Sequence, residues 1–390
     1  MKNQAYNCIK FSALVAFSMA YLGYLSPSFA IDVKAKSAVI LEVATGKILL
    51  DKNADAPMAP ASMSKLMTLY MLFERLKDGS LSLDDSFRVS ENAWRKGGAK
   101  SGSSTMFLLP GQNVKVEDLI RGIIVQSGND ACIVVAEGIS GSEEAFAEDM
   151  TVRGRALGLL ASNFYNSTGW PHPEHLMTPH DLATLAAAII DRFPEFYHYF
   201  KETEFSYSGI RQMNRNPLLY KKIGVDGLKT GHTKSSGYGL TASALRGQRR
   251  LIIVVNGLDS KKERSKEPER LLDWGFREFN NYVLFRSGEK VEEAAVWLGK
   301  ASTVPLIVKN GVKLTFKRKF RKKMKVTLVY QSPIPSPLKK GTEVGKIIIS
   351  IPDQSNLEVP VLAGAEVEQL GLFGRLLSAF SALLFGTAGV

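Results

Sequence analysis

Cysteine and histidine are scarce in this chain, with two cysteines and five histidines among 390 residues. Cys8 and Cys132 cannot build the disulfide framework that staples small secreted domains. Cys132 lies in an apolar run, which is typical of a core residue. His172, His175 and His180 are irregularly spaced in a proline-containing stretch and do not predict a zinc site. No Ser-His-Asp pattern for nucleophilic catalysis stands out either.

Long apolar runs are also missing. The first one, residues 11–25, is shorter than the roughly 20 residues that a membrane span needs. Lys2 and Lys10 precede its core and Ser28-Phe29-Ala30 follows it, which predicts a secretory signal over residues 1–30, with an uncleaved anchor as the alternative. An exported protein without disulfides suits a bacterial envelope, at the outer face of the cytoplasmic membrane.

Acidic residues are fewer than basic ones, 38 against 50, which gives a net charge of +12. Part of the excess lies in the basic run at residues 317–325. Nucleic acid is not an expected partner, because export removes the chain from it and no recognition motif accompanies the run. A solvated strand and turn, or attraction to anionic lipid, are the two interpretations left open.

What the chain does contain is three short motifs in a telling order. They are Ser62-Met63-Ser64-Lys65, Ser127-Gly128-Asn129 and Lys229-Thr230-Gly231. A serine three residues before a lysine also occurs twice elsewhere, but Gly288 and Pro337 lie inside those copies and oppose a helix. Lys-Thr-Gly occurs once and is the rarer signal.

Context separates the first motif from its copies. Ser62 follows Pro60 and opens an apolar run, which predicts a buried helix with proline at its start. Residues i and i+3 are neighbours on a helix, so Lys65 is expected beside the Ser62 hydroxyl. The alternative is that Ser62 only caps the helix.

The other two motifs have structural alternatives of their own. Ser127 breaks two apolar runs and is expected at an apex between helices, where an ordinary helix–helix turn is the alternative. Lys229 is expected on a strand, where the alternative is a strand entry after a glycine-rich turn.

Together the three motifs predict an acyl-transfer site. A serine hydroxyl is a poor nucleophile until a base takes its proton, and Lys65 is the nearest candidate base. That role requires a neutral amine, which burial or a second cation such as Lys229 favours. Ser127 is suited to pass a proton, and the Asn129 amide to orient Lys65 or a substrate amide.

The remaining groups of the predicted site are backbone features. Gly231 would let a peptide approach as an added strand. The N–H groups of Ser62 and His232 are candidates for an oxyanion hole.

The order of the elements predicts a two-domain protein. A hairpin near residues 38–50, a helical region over roughly 115–200 and a hairpin over 239–255 suggest one sheet built from both ends of a domain, with helices against it. From about residue 286 short strand patterns predict a small all-β domain. We expect boundaries at 31–285 and 286–369, then an amphipathic helix at 370–390 lying in a membrane interface, or else docked on the domain.

The ordered trio resembles the low-molecular-mass penicillin-binding, serine-type D-alanyl-D-alanine carboxypeptidases of the peptidase S11 type. The resemblance covers nearly the whole mature chain, including Asn166-Ser-Thr-Gly-Trp, Asn214-Arg-Asn-Pro-Leu-Leu and a Leu-Leu-Asp-Trp-Gly-Phe helix. It implies an α/β (α+β) penicillin-binding/β-lactamase-like domain, a sheet flanked by helices, followed by the all-β domain and the tail helix.

The resemblance also implies roles for residues. Ser62 would be the nucleophile and Lys65 its base, with Ser127 and Asn129 as the other catalytic residues. Substrate binding would fall on Lys229, Thr230, Gly231, His232 and Thr233, and on Arg264 for the substrate's terminal carboxylate. The implied reaction removes terminal D-alanine from peptidoglycan stem peptides, and β-lactams would trap Ser62. It would require no metal or other cofactor.

Three other functions are alternatives to this one. A class A β-lactamase would add a glutamate for deacylation, and the chain contains no Glu-x-x-Leu-Asn in the corresponding place. A D,D-endopeptidase acting on cross-links uses the same machinery. A catalytically silent, membrane-bound scaffold belongs to a different class.

Overall fold

The structure is a computed structural model that describes residues 31–385. Its helices are α1 (Lys65–Lys77), α2 (Glu91–Gly97), α3 (Val116–Arg121), α4 (Asn129–Ser140), α5 (Glu143–Ala156), α6 (Pro179–Arg192), α7 (Lys261–Glu278) and α8 (Leu372–Phe385). Its strands up to α7 are β1 (Ser37–Glu42), β2 (Lys47–Lys52), β3 (Ser86–Arg88), β4 (Asn113–Lys115), β5 (Glu204–Tyr207), β6 (Ile210–Met213), β7 (Val225–Thr233), β8 (Gly237–Arg246) and β9 (Arg249–Leu258). After α7 come β10 (Phe279–Phe285), β11 (Lys290–Trp297), β12 (Thr303–Val308), β13 (Val312–Lys317), β14 (Lys325–Tyr330), β15 (Ile334–Pro335), β16 (Glu343–Ser350) and β17 (Leu357–Ala363).

A five-stranded antiparallel sheet forms the centre of the first domain, in the order β2-β1-β9-β8-β7. The first hairpin of the chain therefore pairs with strands that follow the helical region. This confirms the prediction of one sheet built from both ends of the domain.

The two faces of this sheet are covered by different helices. Ile252 and Val254 of β9 belong to the core shared with α1, α4 and α6. Their neighbours Leu251 and Ile253 alternate to the opposite face, as the two-residue period of a strand requires. There α7 packs on β8 and β9, with Gly275 close to the Leu251 side chain. The sheet thus lies between two helical layers.

Helix α1 passes through the middle of the helical layer, against α4, α5 and α6. Residues 65–73 are all buried, and apart from Lys65 and Thr68 they are apolar or aromatic. A helix that is apolar on every side is stable only when it is enclosed, as this one is. Its enclosure brings a lysine amine into the protein interior.

The second domain is built of strands. Its main sheet has the order β14-β16-β17-β12-β11-β15, and β10 pairs with β13. Alternating residues such as Ile347 and Ile349 fill its core. The all-β prediction is confirmed, whereas the boundary placed after residue 285 stays a prediction. The strand Phe279–Phe285 just before that position pairs with β13 beyond it.

Helix α8 presents apolar side chains to solvent. Leu372, Phe373, Leu376, Leu377 and Phe380 are between 64% and 90% exposed. Within the described chain no helix has both the length and the hydropathy to cross a membrane. The signal predicted over residues 1–30 lies outside the described residues.

Candidate active site

The candidate nucleophile lies on a tight turn that leads into α1. Ala61–Ser64 form a single 3₁₀ turn, with Ala61 at a positive φ of 50°. Residues i and i+3 eclipse one another in this geometry, so Lys65 is carried directly beside Ser62. The Lys65 Nζ donates a hydrogen bond to the Ser62 Oγ over 2.9 Å. Ser62 remains partly exposed while the lysine is fully buried.

Burial changes the acid–base behaviour of Lys65. The cost of holding a charge away from water, with a smaller contribution from the Arg215 guanidinium, lowers the pKa of Lys65 from 10.5 to about 8. A pKa near 8 leaves about one amine in ten neutral at pH 7. Lys65 therefore meets the chemical requirement for a general base.

A short loop from another part of the chain supplies the second partner of Lys65. The Thr168 carbonyl accepts a hydrogen bond from the Lys65 Nζ. Asn166 shapes this loop, because its Oδ1 accepts from the backbone N–H groups of Thr168, Gly169 and Trp170. Gly169 has a φ of 77°, and a Cβ there would lie 2.0 Å from the Ala61 carbonyl oxygen. Only glycine permits this approach of the loop to the nucleophile turn.

Ser127 occupies the predicted apex between two helices. Helix α3 ends in a π-helical turn, Gly122–Gln126, and Ser127 follows in the left-handed conformation with φ 59°. A Cβ on Gly128 would lie 2.9 Å from the carboxylate of Asp130, which explains the glycine between Ser127 and Asn129. That carboxylate accepts hydrogen bonds from the backbone of residues 106 and 108, and so ties the neighbouring loop to the start of α4.

Lys229 joins the third motif to the second. It lies on the edge strand β7, is buried, and donates from Nζ to the Ser127 Oγ over 2.9 Å. Burial, then the nearby charges of Lys65 and Arg215, hold the pKa of Lys229 well below its usual value. Two lysine amines thus flank two serine hydroxyls.

Gly231 allows β7 to pass close to the nucleophile turn. A Cβ at this position would lie 2.8 Å from the Pro60 carbonyl oxygen and 3.1 Å from the Met63 Cγ. The sequence predicts that Gly231 leaves room for a substrate strand beside β7. The structure adds a second reason for glycine at this position, which is its close packing against the nucleophile turn.

These elements surround a cleft of about 660 Å³. Its lining is Ser62, Ser104, Ser127, Met213, Asn214, Arg215, Thr230, Gly231, His232, Tyr238, Lys261 and Arg264. None of these lining residues is an aspartate or glutamate, whereas three are cationic. The cleft is therefore suited to a ligand that carries a carboxylate.

Arg264 is held at the edge of this cleft by two contacts. Its Nη1 donates to the Gly231 carbonyl over 3.4 Å, and its guanidinium lies 5.3 Å from the centre of the Tyr238 ring. Tyr238 also stacks on His232, with ring centres 4.0 Å apart. Burial and the Arg264 charge lower the pKa of His232, so its imidazole is neutral at pH 7.

Most of the residues predicted for the site converge. Ser62, Ser127, Thr230, Gly231, His232 and Arg264 line the cleft, and Lys65 and Lys229 lie beneath it. Asn129 is buried at the start of α4, and its side-chain Oδ1 has no hydrogen-bond partner within the described residues. Thr233 lies outside the cleft lining and bonds instead to Ser235 and Ser236 in the β7–β8 turn. The roles assigned to these residues stay predictions.

Two contributors are missing from the sequence-based site. Arg215 lines the cleft and donates to the Ser104 hydroxyl, and the Thr168 carbonyl contacts Lys65. Arg215 lies within the Asn214-Arg-Asn segment, which carried the family resemblance but no assigned role. The only sequence signal for the Thr168 turn is an asparagine three residues before a glycine, which is typical of a side-chain-closed turn.

A larger cavity, of about 840 Å³, opens at the far end of α1 between Glu74, Arg153 and Arg192. It contains no residue of the three motifs. Residues 31–385 include no group of three or more His, Cys, Asp or Glu side chains placed to hold a metal ion. The cleft around Ser62 is therefore the candidate active site.

Comparison with known proteins agrees with this geometry. The family model for peptidase S11, D-alanyl-D-alanine carboxypeptidase, matches residues 25–260, which is more than half of the chain. The chain belongs to the D-alanyl-D-alanine carboxypeptidase family. A second model, the C-terminal domain of penicillin-binding protein 5, matches residues 279–369.

Individual relatives of this family match over most of their length. D-alanyl-D-alanine carboxypeptidase DacC of Escherichia coli is 39% identical, over 88% of this chain and 87% of the relative. DacF of Bacillus subtilis is 34% identical, over 87% of each chain. Penicillin-binding protein 5 of Haemophilus influenzae superposes with a TM-score of 0.75 at 34% identity, covering 87% of this chain and 98% of its own. The fold of two domains predicted from the resemblance is thereby confirmed.

Proposed function

We propose that this protein is a serine-type D-alanyl-D-alanine carboxypeptidase that removes terminal D-alanine from peptidoglycan stem pentapeptides. The observation that carries the proposal is the 2.9 Å contact between the Lys65 Nζ and the Ser62 Oγ, at the floor of a cationic cleft. Membership of the carboxypeptidase family supports the same substrate class.

Acylation begins with proton transfer from Ser62 to Lys65. A neutral amine has two N–H donors and one lone pair. In the charged form Lys65 donates to both the Thr168 carbonyl and the Ser62 Oγ. When the amine that faces Ser62 is neutral, its lone pair takes the place of the second donor and accepts the Ser62 hydroxyl proton. As that proton moves, the Oγ attacks the carbonyl carbon of the penultimate D-alanine. Lys65 thus acts as general base and Ser62 as nucleophile.

The negative charge that develops on the carbonyl oxygen needs donors nearby. The backbone N–H groups of Ser62 and His232 are our candidates for this oxyanion hole. Collapse of the tetrahedral intermediate expels the amine of the terminal D-alanine, which must gain a proton. The Ser127 hydroxyl, hydrogen-bonded to Lys229, is suited to relay that proton to the leaving nitrogen. Water then hydrolyses the ester on Ser62.

The cations of the cleft distinguish this substrate from an internal peptide. The leaving D-alanine carries a free carboxylate, and Arg215, Lys261 and Arg264 line the cleft with no carboxylate among its lining residues. Guanidinium groups bind carboxylates through paired, charge-assisted hydrogen bonds. We assign substrate binding to these cations together with Lys229, Thr230 and Gly231, whereas Thr233 supports the turn that follows.

β-Lactams are expected to bind in the same cleft and acylate Ser62. Their strained amide and carboxylate mimic the terminal dipeptide, and the resulting ester would be slow to hydrolyse. Penicillin-binding protein D2 of Listeria monocytogenes, solved in an ampicillin-bound and a cefotaxime-bound form, resembles this chain at 27% identity with a TM-score of 0.56 in each form. A β-lactamase is disfavoured, because the loop beside Lys65 offers the Thr168 carbonyl rather than a glutamate.

One experiment separates the carboxypeptidase from its two alternatives. Purified protein is incubated with a stem pentapeptide and, separately, with a cross-linked dimer, and released D-alanine and cleaved dimer are measured. Release of D-alanine from the pentapeptide with an intact dimer is the expected result. Cleavage of the dimer alone would assign an endopeptidase, and neither reaction, with no label from a fluorescent penicillin, would assign a scaffold.

We further propose that the protein is exported and rests on the outer face of the cytoplasmic membrane. The signal-like residues 1–30 support export. The exposed residues Phe373, Leu376, Leu377 and Phe380 of α8 follow the spacing of one helical face, which supports burial in a membrane interface.

Fractionation tests the membrane proposal. Ending the chain after Val367, or combining Leu376→Asp with Phe380→Asp, should move the protein from the membrane pellet to the supernatant. Release of D-alanine from a soluble pentapeptide should be unchanged in both variants. A truncated protein that still pellets with membranes would contradict the assignment of α8.

A further inference from the structure

The basic run at residues 317–325 forms one outward-facing surface on the second domain. Its centre is a 3₁₀ helix, Arg318–Lys323, in which Phe320 is 7% exposed and packs in the domain core. Because Phe320 holds the inner side, the charged side chains face solvent. We call this set the basic surface; its exposed members are Arg318, Lys319, Arg321, Lys322, Lys323 and Lys325.

The charge of this surface is not neutralised by its own domain. Residues 286–369 contain fifteen basic and eight acidic residues, and seven of the basic ones lie in the run. Outside the run the charges therefore balance. The ion pairs found within residues 31–385 include none of the seven. Arg318 donates hydrogen bonds to two backbone carbonyls, those of Phe276 and Phe279, each over 3.4 Å.

Helix α7 links the basic surface to the cleft. Phe276 lies in the last turn of α7, whereas Arg264, near the start of the same helix, contacts the Gly231 carbonyl at the cleft edge. Twelve residues separate them, or about 18 Å along the helix axis. An extended stem pentapeptide is about 17 Å long. One strand of a polymer that carries such peptides can therefore reach both the cleft and the basic surface.

The same domain places the basic surface away from α8. In the sheet, Lys325 pairs with Ser350 at one end of β14, and Tyr330 pairs with Gly345 at the other. The chain leaves the sheet toward α8 at the Gly345 end, where Val367 pairs with Leu338. Five residues of strand separate the two ends, about 17 Å. Exposed charges interact over about 8 Å at physiological salt, which is less than this distance. The basic surface is therefore largely screened from charges at the α8 end of the sheet.

We propose that the basic surface binds the carboxylate-bearing wall polymer that carries the stem peptides, outside the catalytic cleft. The inference rests on the proposed function. Each stem peptide ends in a carboxylate before the reaction, and removal of D-alanine leaves a new terminal carboxylate on the polymer. The ligand therefore persists through turnover. Several weak contacts to repeated carboxylates raise the local concentration of stem peptides at the cleft.

Binding is tested by sedimentation with insoluble, protein-free peptidoglycan. The mature full-length chain is used in its Ser62→Ala form, so that binding is measured without turnover. The test variant combines Lys319→Gln, Lys322→Gln and Lys323→Gln. The matched control combines Lys309→Gln, Lys339→Gln and Lys340→Gln, which removes the same charge from exposed positions elsewhere on the domain. Thermal melting of each variant checks that it is folded.

We expect the test variant to bind at least about tenfold more weakly than the control variant. Amidation of the polymer's carboxyl groups should produce a similar loss for the unsubstituted chain. With Ser62 restored, release of D-alanine from a soluble pentapeptide should be equal in the unsubstituted chain, the test variant and the control variant. Release of D-alanine from the insoluble polymer should fall only in the test variant.

Three results would overturn the proposal. They are equal binding by test and control variants, no sedimentation of the unsubstituted chain, and a loss confined to vesicles containing phosphatidylglycerol, which would assign the surface to lipid. The carboxypeptidase proposal fails separately, through absence of D-alanine release from the soluble pentapeptide. The sedimentation result does not depend on that activity.

Discussion

The Lys65 amine lies 2.9 Å from the Ser62 hydroxyl and also donates to the Thr168 carbonyl, more than one hundred residues further along the chain. The first contact follows from local helix geometry, and the second from a loop that Asn166 shapes. Together they fix the amine at the base of the nucleophile.

Replacing Lys65 with Met should abolish rapid acylation while leaving the fold intact. The methionine fills a similar volume but cannot accept the Ser62 proton, and general bases contribute about 10²- to 10⁴-fold to rate. Labelling by a fluorescent penicillin, followed over time, measures this loss. Ser62→Ala is the matched variant and should give no covalent label at all. A Lys65→Met protein that labels at the unsubstituted rate would exclude Lys65 as the base.

Acylation should accelerate as pH rises toward 8. The pKa of Lys65 is lowered to about 8, mainly by burial, so the neutral form grows about tenfold per pH unit below 8 and levels off above it. Arg215 also lowers this pKa, and Arg215→Gln should move the midpoint to higher pH. The measurement is the acylation rate constant from pH 6 to 10. A flat profile would contradict a titrating Lys65.

The same burial should make stability depend on pH. An unfolded lysine titrates near 10.5 and the folded Lys65 near 8, so folding expels a proton between these values. Below pH 8 the full cost of burial applies, about 3 kcal/mol, and it disappears as pH rises toward 10.5. The unsubstituted protein should therefore gain about 2 kcal/mol relative to Lys65→Met between pH 8 and 10. Urea unfolding at each pH measures the difference, and a constant difference would refute it.

The sequence alone predicts which motif side chains meet in the site. Spacing of three predicts Ser62 beside Lys65, and the order of the motifs predicts that Ser127 and Lys229 meet although 102 positions separate them. The hairpins and the all-β domain are likewise predicted, because alternation and turn residues are local signals.

The remaining features of the site depend on long-range packing. The Thr168 carbonyl is a backbone group, which every residue possesses, so no residue type marks it. Arg215 lines the cleft and donates to the Ser104 hydroxyl, 111 positions away in the chain, a contact that no local pattern marks. Thr233 illustrates the converse: it adjoins a motif, yet its hydroxyl is directed into the turn that follows.

Removing the cations of the cleft should weaken recognition of a free terminal carboxylate. We expect Arg264→Ala and Arg215→Ala to raise KM for a stem pentapeptide by about 10- to 100-fold, because charge-assisted hydrogen bonds are lost. The matched control is Lys262→Ala, an exposed cation two residues from Arg264 that does not line the cleft. A pentapeptide with an amidated C-terminus should bind equally to all variants. An equal loss for the amidated peptide would indicate a structural role for the arginines instead.

A methyl group at residue 231 should separate β7 from the nucleophile turn. In Gly231→Ala the new Cβ would lie 2.8 Å from the Pro60 carbonyl oxygen, a backbone atom that also accepts from the Met63 N–H over 3.2 Å. The strand or the turn must shift by a few tenths of an ångström, and catalytic geometry is sensitive to such shifts. We expect acylation to slow by about tenfold or more, with a loss of about 1–3 kcal/mol in the free energy of unfolding. Gly311→Ala, whose Cβ would meet nothing closer than 3.4 Å, should change neither quantity. Unimpaired acylation in Gly231→Ala would show that the approach of β7 to Ser62 is not needed for catalysis.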